Sequence, residues 1–288
     1  MAAASALSRL LPNLRGPNTS CRRLYMGVVR AMALYAAPVW ANTLMARNLA
    51  VLRRPQRAMA IRVIRGYRTI SFEAACLLAG SPPWDLDGKV LASLYTWREE
   101  AVQRGECLVP RQVEARRAEL RQVLMVEWEQ RLARPTTGHA VVAAVRPVMK
   151  EWLERSHGAL SFRLTQVLTG HGCFGKFLCR IGREPTPECH HCGICSEDSA
   201  LHTLVECPAW ATQRRDLAAA VDAAGSLSLP AVVSCMVGSE EGWNAVASFC
   251  EDVMVLKEAA ERERETASSL PARSRRGGRR RVADLRPP

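Results

Sequence analysis

Apolar positions return at helical rather than strand spacing along most of the chain. Between Arg22 and Leu44, Leu24, Val28, Ala31 and Tyr35 recur every three to four residues, which predicts a helix ending near Pro38. A second helix is predicted after Pro55. At about 100° per residue, Arg57, Arg62, Arg65 and Arg68 fall within about 140° of arc, with Met59, Val63 and Ile64 mostly opposite and Ile61 among the arginines. Ser71 reads as the cap of a short helix to Ala79, closed by Gly80 and the turn Ser81-Pro82-Pro83. From Lys89 to Ala133, Glu and Arg interleave with Leu, Val and Trp, with a break around Gly105 to Pro110. Pro135 to Gly138 reads as a loop and Val141 to Arg155 as a further helix, with Trp97, Trp128 and Trp152 as expected core anchors. Ala209 to Ala224 and Glu241 to Arg264 also have helical patterning. No alternating Val/Ile/Thr run is long enough for a sheet and no internal repeat is visible, so the expected class is mainly α.

Charge divides the chain more sharply than hydropathy does. The 288 residues carry a net +12, yet residues 1–72 alone hold twelve Arg and no Lys, Asp or Glu. The last 18 residues hold seven Arg against one Asp, and Pro271 to Pro288 is rich in Arg, Gly and Pro, a composition expected to stay disordered. The body between is mildly acidic. Two cationic ends favour a polyanionic partner, although a row of arginines on one helix face is also what an ordinary solvated face looks like. The charge-free stretch from Ala31 to Ala46 is too short to span a bilayer, so no membrane partner is expected. No secretory signal is visible. Eleven irregularly spaced Cys do not form a secreted disulfide framework, which points to reduced thiols and an intracellular protein.

Three thiols and an imidazole stand within 19 residues as Cys189-x2-Cys192-x9-His202-x4-Cys207. This donor set at this spacing suits tetrahedral Zn2+. With all four positions filled by protein no place is left for an activated water, so the metal would be structural. The alternative is a chance group of buried thiols. Cys195 forms a second CxxC with Cys192 and is the replacement ligand to consider, while His190 and His191 lie beside the first pair. His171 has no partner group at catalytic spacing and reads as a loop histidine. No GxSxG, GxxxxGK[ST] or HExxH motif occurs, and no two Asp are adjacent anywhere.

Together, "LSRLLPNLRGPNTSCRRLYMGVVRAMALYAAPVWA", "RRPQRAMAIRVIRGYRTISFEAACLLAGSPPWDL", "LTQVLTGHGCFGKFLCRIG" and "CHHCGICSEDSALHTLVECPAW" resemble the C-terminal part of insect non-LTR retrotransposon reverse transcriptase polyproteins. The similarity is to the type-1 elements that insert in ribosomal RNA genes. It covers about residues 5–265. Such polyproteins carry an endonuclease, an RNA-directed DNA polymerase and a C-terminal cysteine/histidine region.

The resemblance implies a thumb-like basic region over 1–84, a helical connector over 85–158, a zinc-knuckle-like region over 159–225, a helical region over 226–265 and a disordered Arg-rich tail over 266–288. Arg53, Arg54, Arg57, Arg62, Arg65 and Arg68 are then the expected phosphate contacts, and Cys189, Cys192, His202 and Cys207 match the family's knuckle motif. The family's polymerase holds Mg2+ on a Tyr-x-Asp-Asp pair that this sequence lacks, and Asp85-x-Asp87 is spaced differently. The chain is therefore expected to be a fragment of the polyprotein without its palm and endonuclease. It would have no catalytic residue of its own and would bind RNA template or target DNA in the nucleus. The alternative is a zinc-stabilised helical protein-interaction scaffold derived from such an element.

Overall fold

The structure, a computed structural model, describes residues 2–221 and 227–267. The Arg/Gly/Pro-rich tail and the end of the Ala209–Ala224 helix expected from the sequence lie outside the described residues. Two compact units divide the chain, residues 1–155 and 156–288. No strand occurs among the described residues.

The first unit holds α1 (Ala2–Arg9), α2 (Thr19–Ala33), α3 (Ala37–Trp40), α4 (Ala46–Val63), α5 (Phe72–Ala79), α6 (Trp84–Gln103), α7 (Pro110–Leu132), α8 (His139–Val145) and α9 (Met149–Glu154). Helix α4 lies at the centre, packed on α1, α2, α5 and α6. Helix α5 begins where Ser71 Oγ accepts the Ala74 amide at 3.2 Å and stops at Gly80, whose φ of 66° is the left-handed conformation of a helix end. Pro147 breaks the expected Val141–Arg155 helix into α8, a 3-10 turn and α9.

Several expectations for this unit fail, beginning with the phase of α2. Leu24, Val28, Ala31 and Tyr35 face solvent, Tyr35 with 83% of its surface exposed, whereas Arg22, Met26 and Val29 turn inward. The phase is set by Arg22. Its guanidinium donates to the carbonyls of Pro12, Pro17 and Arg62, so this polar residue fixes which face of α2 meets α4. Burial, with Arg65 and Arg62 close by, lowers its pKa to about 10.

Helix α4 also starts nine residues before Pro55 and runs through it. Proline removes a single amide donor, and here its ring is buried in the packed interface, which offsets that loss. The helix ends at Val63, where the Gly66 amide reaches Ile61 O at 2.9 Å and Arg65 takes a φ of 56°. That reversal has the Schellman pattern. Arg65 and Arg68 therefore do not share a helix face with Arg57 and Arg62.

Trp84, Trp128 and Trp152 are the fully buried indoles of this unit, while Trp97 is only half-buried. Gln56, fully buried, donates to Pro82 O at 2.7 Å and accepts the Trp84 amide at 2.9 Å, tying α4 to the start of α6. Asp85 and Asp87 pair with different arginines, Arg131 at 2.5 Å and Arg30 at 2.8 Å. Among the described residues no single helix is long and apolar enough to cross a membrane; α2 and the segment 37–43 reach the length only as a pair bent by 54°.

The second unit is organised on α14 (Glu240–Ala267), against which α10 (Phe162–Thr169), α12 (Ala211–Ala220) and α13 (Leu229–Gly238) pack; α11 (Gly175–Arg180) leads into the cysteine segment. Trp243, Val246, Phe249, Cys250, Val253 and Met254 form a buried stripe at three- to four-residue spacing, and Lys257 and Glu261 continue it. Arg163 of α10 meets Glu251 and Glu258 of α14, each at 2.9 Å.

Candidate metal centre

Cys189 and Cys192 sit on a tight turn in which Gly193 donates to Cys189 O at 3.2 Å and Cys189 donates to Cys195 O at 3.1 Å. His202 and Cys207 sit at the two ends of a π-turn over His202–Glu206. The Cys207 amide reaches back to His202 O at 2.8 Å, so the four-residue gap in the sequence is one wide helical turn in space. The donor atoms of all four residues lie within 4.8 Å of one another.

Individual distances match a tetrahedral ion. Zn–S bonds of ~2.3 Å and Zn–N bonds of ~2.0–2.1 Å place two sulfurs about 3.8 Å apart and a sulfur and a nitrogen about 3.6 Å apart. Here Cys189 Sγ lies 3.9 Å from Cys207 Sγ, and Cys192 Sγ lies 3.6 Å from His202 Nε2. On the far side of the ring, His202 Nδ1 faces Glu206 Oε2 at 3.4 Å, the carboxylate-histidine arrangement that orients a ligating imidazole. Cys189, His202 and Cys207 are buried.

The thiols have unlike protonation. Burial raises the Cys207 thiol, and Cys189 nearby adds to it, to about 12. Burial acts upward on Cys192 too, but the amides of Ile194 and Cys195, with Cys189 and His202, bring it down to about 6. A divalent ion held by the four residues would make thiolate the favoured form of every sulfur ligand.

Neighbouring His and Cys residues stand outside the four-atom group. His190 Nε2 lies 3.4 Å from Glu184 Oε1, and His191 packs on Trp210 with ring centroids 4.9 Å apart. Burial, with Lys257 nearby, lowers the His191 pKa to about 4. Cys195 contributes its carbonyl to the turn. His171 stacks on Phe177 at 4.9 Å.

A polar support holds the cluster. Both Asp198 oxygens accept from Lys257 Nζ, at 2.8 and 2.9 Å, and Oδ2 also accepts the Gly175 amide at the start of α11 at 3.0 Å. The Asp198 backbone bonds Pro187 O and the Lys176 amide, at 2.7 and 3.0 Å. Gly175 is required there, because a Cβ would stand 2.5 Å from Glu188 O. Arg214 closes the other side, donating to Cys207 O at 2.5 Å and Leu204 O at 3.0 Å.

The six arginines selected from the sequence serve two roles. Arg57 donates to Ile70 O and Arg68 O, while Arg65 reaches Arg15 O at 3.1 Å and Pro17 O at 3.0 Å; Arg62 faces Asn13 Oδ1 at 3.4 Å. These guanidiniums fasten the segment 10–18 and the turn after α4. Arg54 and Arg68 are exposed, and Arg53 is half-buried. A carbonyl does not neutralise a guanidinium, so all six still contribute to the positive field of this acid-free segment.

The sequence is 30% identical to the "Retrovirus-related Pol polyprotein from type-1 retrotransposable element R1 4" of Nasonia vitripennis over 78% of this chain and 57% of the relative. Identity is 31% to the 115 kDa protein in type-1 retrotransposable element R1DM of Drosophila melanogaster, over 88% of this chain and 25% of the relative. The chain belongs to the R1 retrotransposon Pol family. A third R1 Pol polyprotein, from Bradysia coprophila, is 31% identical over 64% of the chain and 19% of its own length. The chain thus spans about half of the first R1 relative and about a quarter of the second. No family model and no solved structure matches.

Within this R1 chain, Asp198, Lys257, Glu206 and Arg214 are the supporting residues that sequence reasoning missed. Glu206 carries a local signal, since it lies one helical turn from His202. Lys257 is 59 positions from Asp198 and carries none.

Proposed function

We propose that the chain is the C-terminal part of an R1-type Pol polyprotein and supplies it with nucleic-acid binding, without a polymerase or nuclease centre of its own. In this reading, residues 1–84 are a thumb-like basic region that grips RNA template or target DNA in the nucleus, and residues 85–158 connect it to a knuckle-like module over 159–225 in which Cys189, Cys192, His202 and Cys207 hold structural zinc. The observation that carries it is the relationship to proteins named as R1 Pol polyproteins, extending over most of the chain. The acid-free arginine segment and the tetrahedral donor spacing support it. Mg2+ belongs to the parent polymerase; the two aspartates closest in sequence, Asp85 and Asp87, are each paired with an arginine.

A second reading, a zinc-stabilised protein-interaction scaffold, is favoured by the exposed apolar row Leu24, Val28 and Met32 on α2, continued by Tyr35 in the turn after it. Salt dependence separates the two. Phosphate binding gives a log-log salt slope of about −0.7 to −0.9 per contact, and a scaffold gives none. Arg54→Gln with Arg68→Gln, chosen because both are exposed, should flatten that slope by up to about 2 units. Removal of residues 271–288 in parallel measures the tail's share. A slope that responds only to the tail deletion would remove the arginine surface from the account.

Primer extension on an RNA template and nicking of supercoiled DNA should both stay at background in Mg2+ or Mn2+, because the sequence has no adjacent Asp-Asp pair of the kind such polymerases use to hold two ions. Extension by a preparation free of contaminating polymerase would contradict this.

A further inference from the structure

Unit 1 contains a cavity of about 360 Å3, separate from the four metal-donor residues. It lies between α4, the first turns of α5 and the end of α7, and its size is within the range of sites that enclose small ligands. Its walls combine flat rings and cations: Phe72 and Trp128 with Arg53, Arg131 and Arg134, and Glu73 as the acid.

These charged groups are not equally committed. Arg131 is bound by Asp85 at 2.5 Å and Glu127 at 2.8 Å, and Glu73 accepts from Thr137 Oγ1 at 2.8 Å. Arg134 is exposed at the rim. Arg53 carries its guanidinium carbon 5.1 Å from the Phe72 ring centroid, and its buried Nε has no hydrogen-bond partner among the described residues. An unpartnered buried donor at a cavity wall can serve an acceptor atom of a ligand or a water.

We propose that this cavity receives one unpaired nucleotide of a bound strand, its base stacked on the Phe72–Arg53 pair and its phosphate met by Arg53 and Arg134. A base stacks on an aromatic ring or on a guanidinium plane alike, and every base has such a face, so the site would not select sequence. An inorganic anion would use the cations and leave the rings idle. An apolar ligand would use the rings and leave two cations unneutralised. A nucleotide uses both. The inference rests on the nucleic-acid reading above and gives it a specific place.

The test is fluorescence anisotropy of the full chain with a labelled 12-nucleotide single strand, intact or with every base removed. The wild type should bind the intact strand about tenfold more tightly than the abasic one, the worth of one stacked base. Phe72→Leu should abolish that ratio without weakening the abasic complex, Phe72→Trp should keep it, and Arg53→Gln should weaken both. Thr136→Leu, at an exposed rim position, narrows the mouth without touching the core and should also reduce the ratio, which covers the case of an unfolded Phe72→Leu. Equal affinity for the two strands, or a ratio that survives both Phe72→Leu and Thr136→Leu, overturns the cavity assignment and leaves general phosphate binding in place. No binding of either strand overturns the nucleic-acid reading and the cavity with it.

Discussion

The purified chain should carry one zinc ion, and Cys207→Ser should lose it. If four protein donors fill a tetrahedral shell, no position is left open, so an ion held there would act on folding and not on substrate. Structural zinc in small modules contributes an apparent ~10–16 kcal/mol at neutral pH, enough to decide whether the segment that supplies the ligands is folded. Cys207 gives the largest effect because it is fully buried and its amide closes the π-turn that presents His202. A chelator should therefore speed amide exchange across 183–214, while the amides of α4 to α6 keep their protection.

The pH dependence has a defined sign. With its thiol held up to about 12 in the absence of metal, Cys207 must release a proton when zinc binds. Affinity therefore falls as pH falls, and binding acidifies a weakly buffered solution. Elemental analysis of wild type and Cys207→Ser decides the matter: metal near zero in the first, or equal in both, would end the zinc assignment. Zinc retained in Cys189→Ser alone would identify Cys195 as the replacement ligand.

Features set by near neighbours were legible in the sequence, and features set across distance were not. The Ser71 cap and Gly80 stop of α5 depend on eight residues between them, and both are found where expected. The donor cluster is similar, since a turn and a π-turn bring its members together within 19 residues. Helix phase is a different matter. Hydrophobic residues usually face inward, which predicts Leu24, Val28 and Ala31 as the buried stripe of α2, but the buried Arg22, donating to four backbone carbonyls, outweighs that tendency and the stripe faces solvent. A helical wheel drawn from Arg57 to Arg68 likewise assumed a helix that Arg65 and Gly66 terminate. α13 falls within the helical region expected over 226–265, although Leu229–Gly238 is almost uniformly apolar and has no amphipathic period of its own.

The largest expected stability loss outside the donor set comes from Lys257→Met. Lys257 is fully buried and both of its contacts to Asp198 are shorter than 3 Å, while the Phe174 ring lies 5.3 Å from the ammonium. Methionine fills similar volume, so packing is largely kept and what remains is a buried carboxylate without its cation. Breaking such a pair from one side costs about 3–5 kcal/mol, and the Gly175 amide still bonded to Asp198 favours the lower end. Asp198→Asn in the same chain removes the uncompensated charge and should recover part of the loss. Replacing a whole buried pair is far less damaging than halving it, so the two substitutions together should cost less than the sum of each alone, with a coupling of about 0.5–3 kcal/mol. Because the Asp198 backbone also fastens Pro187 and Lys176 beside the cysteine turn, zinc affinity should weaken in Lys257→Met although no ligand has changed. Urea unfolding of the zinc-loaded chain followed by Trp243 fluorescence, with zinc affinity from a competing chelator, reads both effects. A loss below about 1 kcal/mol, or strict additivity in the double variant, would show that α14 supports the metal centre through its apolar stripe alone.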